Sequence, residues 1–459
     1  MKSAKTPIAR DFSDFNHQLA AAVIAETIEA AYQRVNVKPA GQFDIAPLPR
    51  EGSGFEGFRK QMAQYSAASC ALASTAMMGH MDTAPHPLAA YADAVVSALN
   101  NNLLFRELSP AASLVEEQML AELAARMQLR RDWHGTFASG GSIANLSALF
   151  AAAGGFDGVA ERGRVSLFVP ECAHTSVLKS AAVLGIPPER LHVIESDALG
   201  RANPLALSDR LRCYREQSPD GRAVVVAVLG STVHGAVEQI DLIADACEEY
   251  GAWLHVDAIY GAALAFSHSN RHWLKHLDRA NSVVAGPQKW MFVPRVSAML
   301  WVKGRVNFDE SLAFSNSYST NDEIHRGTWG LQGSRRADAV TLWAVLNYTG
   351  TDALGAEVDA AIERTRQFNK LLEKHSSLQP VHSPDLNLQC FNYRTPGRQP
   401  AANSDAYQKL GTGKFPWVSI SRWRGSNLFR AVLLSPGIDE VQTSDSTGML
   451  KRLLDALSE

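Results

Sequence analysis

The chain reads as an α/β protein built on a mostly parallel sheet, with a smaller C-terminal α+β domain and an N-terminal helical segment. Three observations predict this. Through the middle of the chain, short and nearly continuous apolar runs alternate with helical stretches, the pattern of strands buried on both faces. The runs are rich in valine, as in Ala223–Leu229, and β-branched side chains suit a packed pleated surface. After about residue 345 the alternation gives way to one long helix and three short strand candidates.

In order along the chain, residues 15–35 predict an amphipathic helix, with Leu19, Ala22, Val23, Ile24, Ile28 and Ala31 as its apolar positions. Prolines and glycines predict loops from Pro39 to Phe58 and again over Gly79–Pro87, followed by a helix at about 88–100. Strand candidates are Val165–Pro170, Leu191–Glu195, Ala223–Leu229, Ala252–Val256, Ser282–Ala285 and Ser297–Val302. The last follows its predecessor so closely that an antiparallel neighbour is expected, because a parallel crossover needs more chain. Beyond it come a helix over 352–375, strands Leu388–Tyr393, Val418–Ser421 and Phe429–Leu434, and a final helix over 446–457. The expected division is an N-terminal segment 1–87, a large domain 88–345 and a small domain 346–459.

Composition excludes several classes of function. Of 459 residues, 46% are apolar and 20% charged, ordinary for a globular protein. Lysine and arginine number 44 against 47 acidic residues, a net charge of −3. That balance predicts no nucleic-acid partner and no membrane-surface patch. No apolar run approaches the roughly 20 residues of a membrane span, and the basic start lacks the apolar stretch of a secretory signal. The five scattered cysteines contain no CxxC, so neither a disulfide framework nor a metal site is expected, and a cytoplasmic location is.

Chemistry-bearing residues recur at the ends of the predicted strands, where open α/β sheets collect ligands. Asp257 closes the run Ala252–Val256, and Lys289 follows Ser282–Ala285. A lysine amine can hold pyridoxal phosphate as an imine, and a nearby carboxylate can keep the cofactor's ring nitrogen protonated. Ser139-Gly140-Gly141-Ser142 opens a helix whose free N–H groups suit a phosphate. It matches neither a dinucleotide loop nor a Walker motif. His174, after Val165–Pro170, can stack on a flat ring or donate a proton. Ser231 and Thr232 offer hydroxyls after Ala223–Leu229. Each has a plain alternative: a tight turn, a capping histidine, a buried carboxylate paired with arginine, a surface lysine. Five such positions at successive strand ends favour a pyridoxal phosphate site.

With those residues in view, the chain resembles the group II pyridoxal-phosphate-dependent amino-acid decarboxylases over about residues 65–440. The resemblance rests on Gly79-His80-Met81-Asp82, on Leu108–Ala112 with Glu116, and on Ser139–Ser142 with Ala144-Asn145-Leu146. It continues through Ala173–Val177, Trp253–Ala258, Pro287–Trp290, and Leu331–Arg336 with Leu342-Trp343. It implies the aspartate-aminotransferase-like fold type I and a homodimer that exchanges its N-terminal segments and shares its active sites. It also implies an imine at Lys289, stacking by His174, a ring-nitrogen partner at Asp257, and phosphate contacts at Gly141, Ser142 and the partner subunit's Ser334. Thr232 and Gln288 are expected beside the cofactor. The substrate pocket is expected to draw on His80, Met81, Thr83, Leu104 and Arg106, and Tyr318 on a loop over Ser311–Gly327 is expected to return the proton, with His325 as its rival.

The chain departs from the family pattern at Gln288, where a histidine is usual, at Ile143, Ile259 and Arg106, and in the region of Arg295. Glutamine bonds but carries no titrating proton. Met81 and Leu104 suit an apolar substrate side chain; Arg106 suits an acidic one or pairs with Glu107 or another acid. The implied activity is decarboxylation of an L-amino acid to its amine and carbon dioxide. The competing readings are an aldehyde synthase, another lyase or transferase acting on a non-standard amino acid, and a cofactor-binding protein without turnover.

Overall fold

The computed structural model describes residues 15–39, 43, 45, 50–130, 132–156, 158, 163–313, 325–412, 415–438 and 448–458. In chain order its strands are β1 Met77–Met78, β2 Trp133–Ala138, β3 Val165–Pro170, β4 Leu191–Ile194, β5 Arg222–Val228, β6 Trp253–Ala258, β7 Ser282–Ala285, β8 Ala298–Lys303, β9 Leu378–Pro380, β10 Leu388–Tyr393, β11 Trp417–Trp423 and β12 Ser426–Val432.

The large sheet has the order β2-β8-β7-β6-β5-β3-β4. From β4 to β7 every neighbouring pair is parallel. β8 runs antiparallel to both β7 and β2. Two reversals restore the original direction, so β2 ends on the same edge as the parallel strands. That edge therefore collects the chain after Ala138, Pro170, Val228, Ala258 and Ala285. The parallel strands are joined by crossovers that include the helices Thr175–Val183, Pro204–Gln217 and Ile240–Glu249. Burial on both faces explains the unbroken apolar composition: every residue of β5 after Arg222 is buried.

The small sheet has the order β1-β11-β12-β10-β9, with β1 parallel to β11. Two residues of the N-terminal segment thus complete a sheet whose other strands come from the far end of the chain. Met77 and Met78 enter its core beside Phe391, Phe429 and Leu453. The helices Thr351–Lys374 and Met449–Ser458 cover it.

Two local expectations are corrected. The loop expected up to Phe58 ends earlier, because the helix Gly54–Ala68 begins inside it. The glycines of that stretch lie before this helix and in its first turn, and the residues beyond them are good helix formers. β2 was not read as a strand: His134, Gly135 and Thr136 interrupt its apolar pattern, and pairing along β8 supplies what local propensity lacks.

Candidate active site

A cavity of about 250 Å³ opens at the carboxyl edge of the large sheet. Lys289 enters it from the short helix Pro287–Trp290 after β7. Its Nζ donates to Asp82 Oδ1 at 3.0 Å, and the Arg295 guanidinium shares the same carboxylate. Burial, then the Arg430 guanidinium, push the lysine below its usual pKa range. That favours the neutral amine, the form able to attack a carbonyl.

Asp257 faces the cavity from β6. Its Oδ2 accepts from Asn145 Nδ2 at 2.9 Å, and its Oδ1 from the Ile259 N–H at 3.1 Å. Strand periodicity puts Trp253, His255 and Asp257 on one face of β6.

After β2 the chain turns through Gly140 at φ 89°, a left-handed conformation that favours glycine. Gly141 and Ser142 then begin the helix Gly141–Ala152 and line the cavity. A Cβ on Gly141 would lie 3.2 Å from Ile259 Cδ1 and Cγ1, so any larger residue would crowd Ile259 at the cavity wall. The Ile143 N–H turns back to the Gly140 carbonyl at 3.1 Å, and the N–H groups of Gly141 and Ser142 at the helix start suit an anion.

His174 both caps the helix Thr175–Val183 and forms part of the cavity wall. Its Nδ1 takes the Ser176 N–H at 3.1 Å and lies 2.8 Å from Ser176 Oγ. Thr232 lines the cavity, whereas the Ser231 hydroxyl is occupied by the Ala236 N–H at 3.1 Å. Gln288 lines it too, and its Oε1 accepts from the Ser297 N–H. His80 and Met81 complete the wall. Burial and the charges of Arg430, Lys289 and Arg295 push His80 below the usual imidazole range.

The other expected positions lie elsewhere in this chain. Thr83 lines a separate, mostly apolar cavity of about 360 Å³ with Tyr32 and His86. The Leu104 carbonyl accepts from the Gly327 N–H at 3.3 Å. Arg106 pairs with Glu117 at 2.9 Å. Ser334 Oγ accepts from Asn102 at 3.2 Å. His325 is buried, with its Nδ1 accepting from the Arg106 N–H at 3.3 Å. Tyr318 lies outside the described residues.

Among the residues of the cavity wall not singled out from the sequence for a role there are Asp82 and Arg430. Arg430 is only 4% exposed. It donates to the Thr232 carbonyl at 2.8 Å, the Gly79 carbonyl at 3.2 Å and Ser419 Oγ at 3.5 Å. None of these is anionic, and a buried guanidinium facing a cavity suits an anionic ligand. Its signal in the sequence was a charged residue inside an apolar strand, Phe429-Arg430-Ala431-Val432.

The set fits a flat, phosphorylated aldehyde cofactor. It offers an amine, a carboxylate across the cavity, a glycine-lined helix start and an imidazole on the wall. Among the described residues, no cluster of three His, Cys, Asp or Glu side chains could hold a metal ion, and no helix is long and apolar enough to cross a membrane.

Comparison with known proteins shows the family. The profile of the pyridoxal-dependent decarboxylase conserved domain matches residues 71–394. L-2,4-diaminobutyrate decarboxylase of Rhizobium meliloti is 28% identical over 427 residues, covering 91% of this chain and 84% of that protein. Cysteine sulfinic acid decarboxylase of Rattus norvegicus is 29% identical, covering 80% and 79% respectively. Among solved structures, apo mouse CSAD superimposes with a TM-score of 0.84 over 99% of both chains at 22% identity, a likeness of fold.

Proposed function

The chain belongs to the pyridoxal-dependent decarboxylase family, with its fold type I architecture and its pyridoxal phosphate cofactor, and from that premise we propose that it converts an L-amino acid to the corresponding amine. As a member of the family it is a carboxy-lyase. The observation that carries the finer reading is the single cavity that gathers Lys289, Asp257, His174 and the Gly141–Ser142 helix start.

In this reading Lys289 would hold the cofactor through its amine, and the Gly141 and Ser142 amides would hold its phosphate. Asp257 would serve its ring nitrogen, His174 would cover the ring, and Thr232 and Gln288 would bond its edge. Bound pyridoxal phosphate supplies an electron sink for the pair left when the Cα–carboxylate bond breaks. Arg430 and His80 orient the substrate's anionic end, and Met81 and Ile259 exclude water from its apolar flank. The Tyr318 phenol returns the proton to Cα in preference to its rival, buried His325, whose Nδ1 is engaged by the Arg106 N–H. The enzyme works as a homodimer in this reading, which would carry Leu104, Arg106 and Ser334 to the partner's cavity.

The test is a mass-spectrometric product screen with purified protein, pyridoxal phosphate and acidic, aromatic, branched and diamino acids. One amino acid is expected to yield its amine. Lys289→Ala is expected to abolish turnover, and turnover at the wild-type rate would refute the Schiff-base role. Tyr318→Phe is expected to lower amine yield and, with dioxygen as the oxidant, release aldehyde and ammonia; an unchanged amine yield would remove Tyr318 as donor.

A further inference from the structure

A buried hydrogen-bond chain runs beneath the cavity, and its donors and acceptors admit one direction. It starts at Trp253 on β6. The indole Nε1–H can only donate, and it donates to Ser282 Oγ on β7 at 3.0 Å. Ser282 Oγ lies 2.9 Å from His255 Nδ1, and His255 Nε2 lies 3.1 Å from Asn145 Oδ1. His255 and Ser282 are both fully buried and face each other across the β6–β7 register.

Asn145 anchors the assignment. Its Nδ2 stands 2.9 Å from Asp257 Oδ2 and 2.9 Å from Ser176 Oγ. Reversing the amide would set its oxygen against a carboxylate oxygen, two acceptors in contact. The amide therefore donates both protons, one to Asp257 and one to Ser176, and its Oδ1 must accept from His255 Nε2–H. Burial holds the His255 imidazole well below its usual pKa range, although the Asp257 carboxylate pulls the other way. A neutral ring protonated on Nε2 has a bare Nδ1, which accepts from the Ser282 hydroxyl. At the other end, Ser176 Oγ accepts from Asn145 and so turns its own proton toward His174 Nδ1. That atom also takes the Ser176 N–H at 3.1 Å.

We propose that Asn145 is a positioning residue that orients Asp257 and holds the Ser176 hydroxyl beneath His174, and that its carbonyl sets the tautomer of His255. Two donors converge on His174 Nδ1, so the ring bears its proton on Nε2, the atom turned away from the helix cap. One side chain thereby couples the group facing the cofactor ring nitrogen to the group covering the ring. The inference rests on the proposed cofactor site, but its test does not depend on turnover.

The test uses the full-length protein loaded with pyridoxal phosphate and carrying isotope-labelled histidine. Imidazole nitrogen shifts report which ring nitrogen bears the proton, and His174→Gln assigns the signal. The wild type is expected to show His174 and His255 protonated on Nε2. Asn145→Leu is expected to mix the His255 tautomers, because Nε2–H loses its acceptor, and to weaken cofactor binding about 10-fold or more, the scale of a lost hydrogen bond to a charged group; His174 keeps its proton on Nε2 under the Ser176 N–H. His255→Gln, which also assigns the His255 signal, keeps a donor for Asn145 and is expected to preserve cofactor affinity, whereas His255→Leu weakens it. A wild-type His255 protonated on Nδ1 would overturn the proposal without any variant. So would Asn145→Leu with the His255 signal and the cofactor affinity unchanged. A substrate screen that yields no amine would defeat the decarboxylase reading and leave the tautomer result standing.

Discussion

His234 is a built-in acid sensitivity next to the active-site turn. It is wholly buried two residues after Thr232, edge-on to Trp423 at 4.7 Å and to His382 at 5.4 Å. Among the described residues, neither of its ring nitrogens finds a hydrogen-bond partner. Burial, then the neighbouring His382, push its pKa from 6.5 down to about 4. The sign follows directly. The native state keeps the ring neutral, while the unfolded chain binds a proton below 6.5. Native stability from this group is complete above 6.5 and is lost as the pH falls toward about 4. The full difference is about 3 kcal/mol at about 1.4 kcal/mol per pKa unit, and about 2 kcal/mol is already lost by about pH 5. His234→Leu removes the titrating group. Urea unfolding at about pH 8 and about pH 5 should show the variant losing about 2 kcal/mol less than wild type over that interval. Other buried histidines contribute to both proteins and cancel in the difference. An identical pH dependence in wild type and variant would refute the reasoning.

Two further outcomes test the site. Gly141→Ala should push the Ile259 side chain, which would stand 3.2 Å from the new Cβ, and weaken pyridoxal phosphate binding about 10-fold by fluorescence titration, an overpacking cost of about 1–3 kcal/mol; Gly141→Ala with Ile259→Val should recover much of it, and failure to recover would mean the glycine serves something other than clearance. Arg430→Met should raise KM for the substrate about 10- to 100-fold with a smaller change in kcat, the size of a lost charge-assisted bond; an unchanged KM would show that the guanidinium holds only the Thr232 and Gly79 carbonyls.

Much of this protein was legible along the chain because the relevant forces are local. Burial on both faces makes β3, β5 and β7 continuous apolar runs, and a continuous run can be read without knowing its neighbours. Parallel strands end on one edge, so residues just past those runs could be expected to meet. Gly141, Ser142, His174, Thr232, Asp257, Gln288 and Lys289 do line one cavity. The small period of a strand even put Trp253, His255 and Asp257 on one face.

What only the tertiary structure decided depends on contacts between distant segments. β1 becomes a strand because Met77 and Met78 pair with Trp417 and Val418, far along the chain. β2 becomes one because β8 pairs with it. Arg430 reaches the cavity from β12 of the small sheet, and Asp82 meets Lys289 across 207 positions of sequence. Thr83 shares the sequence neighbourhood of His80 and Met81 yet faces another cavity, since a loop free of period sets no face in advance. The hydrogen-bond direction through Asn145 needed atoms from the helix after β2, from β6, from β7 and from the helix after β3. Sequence determines which groups can donate or accept; only the packed fold determines which of them meet.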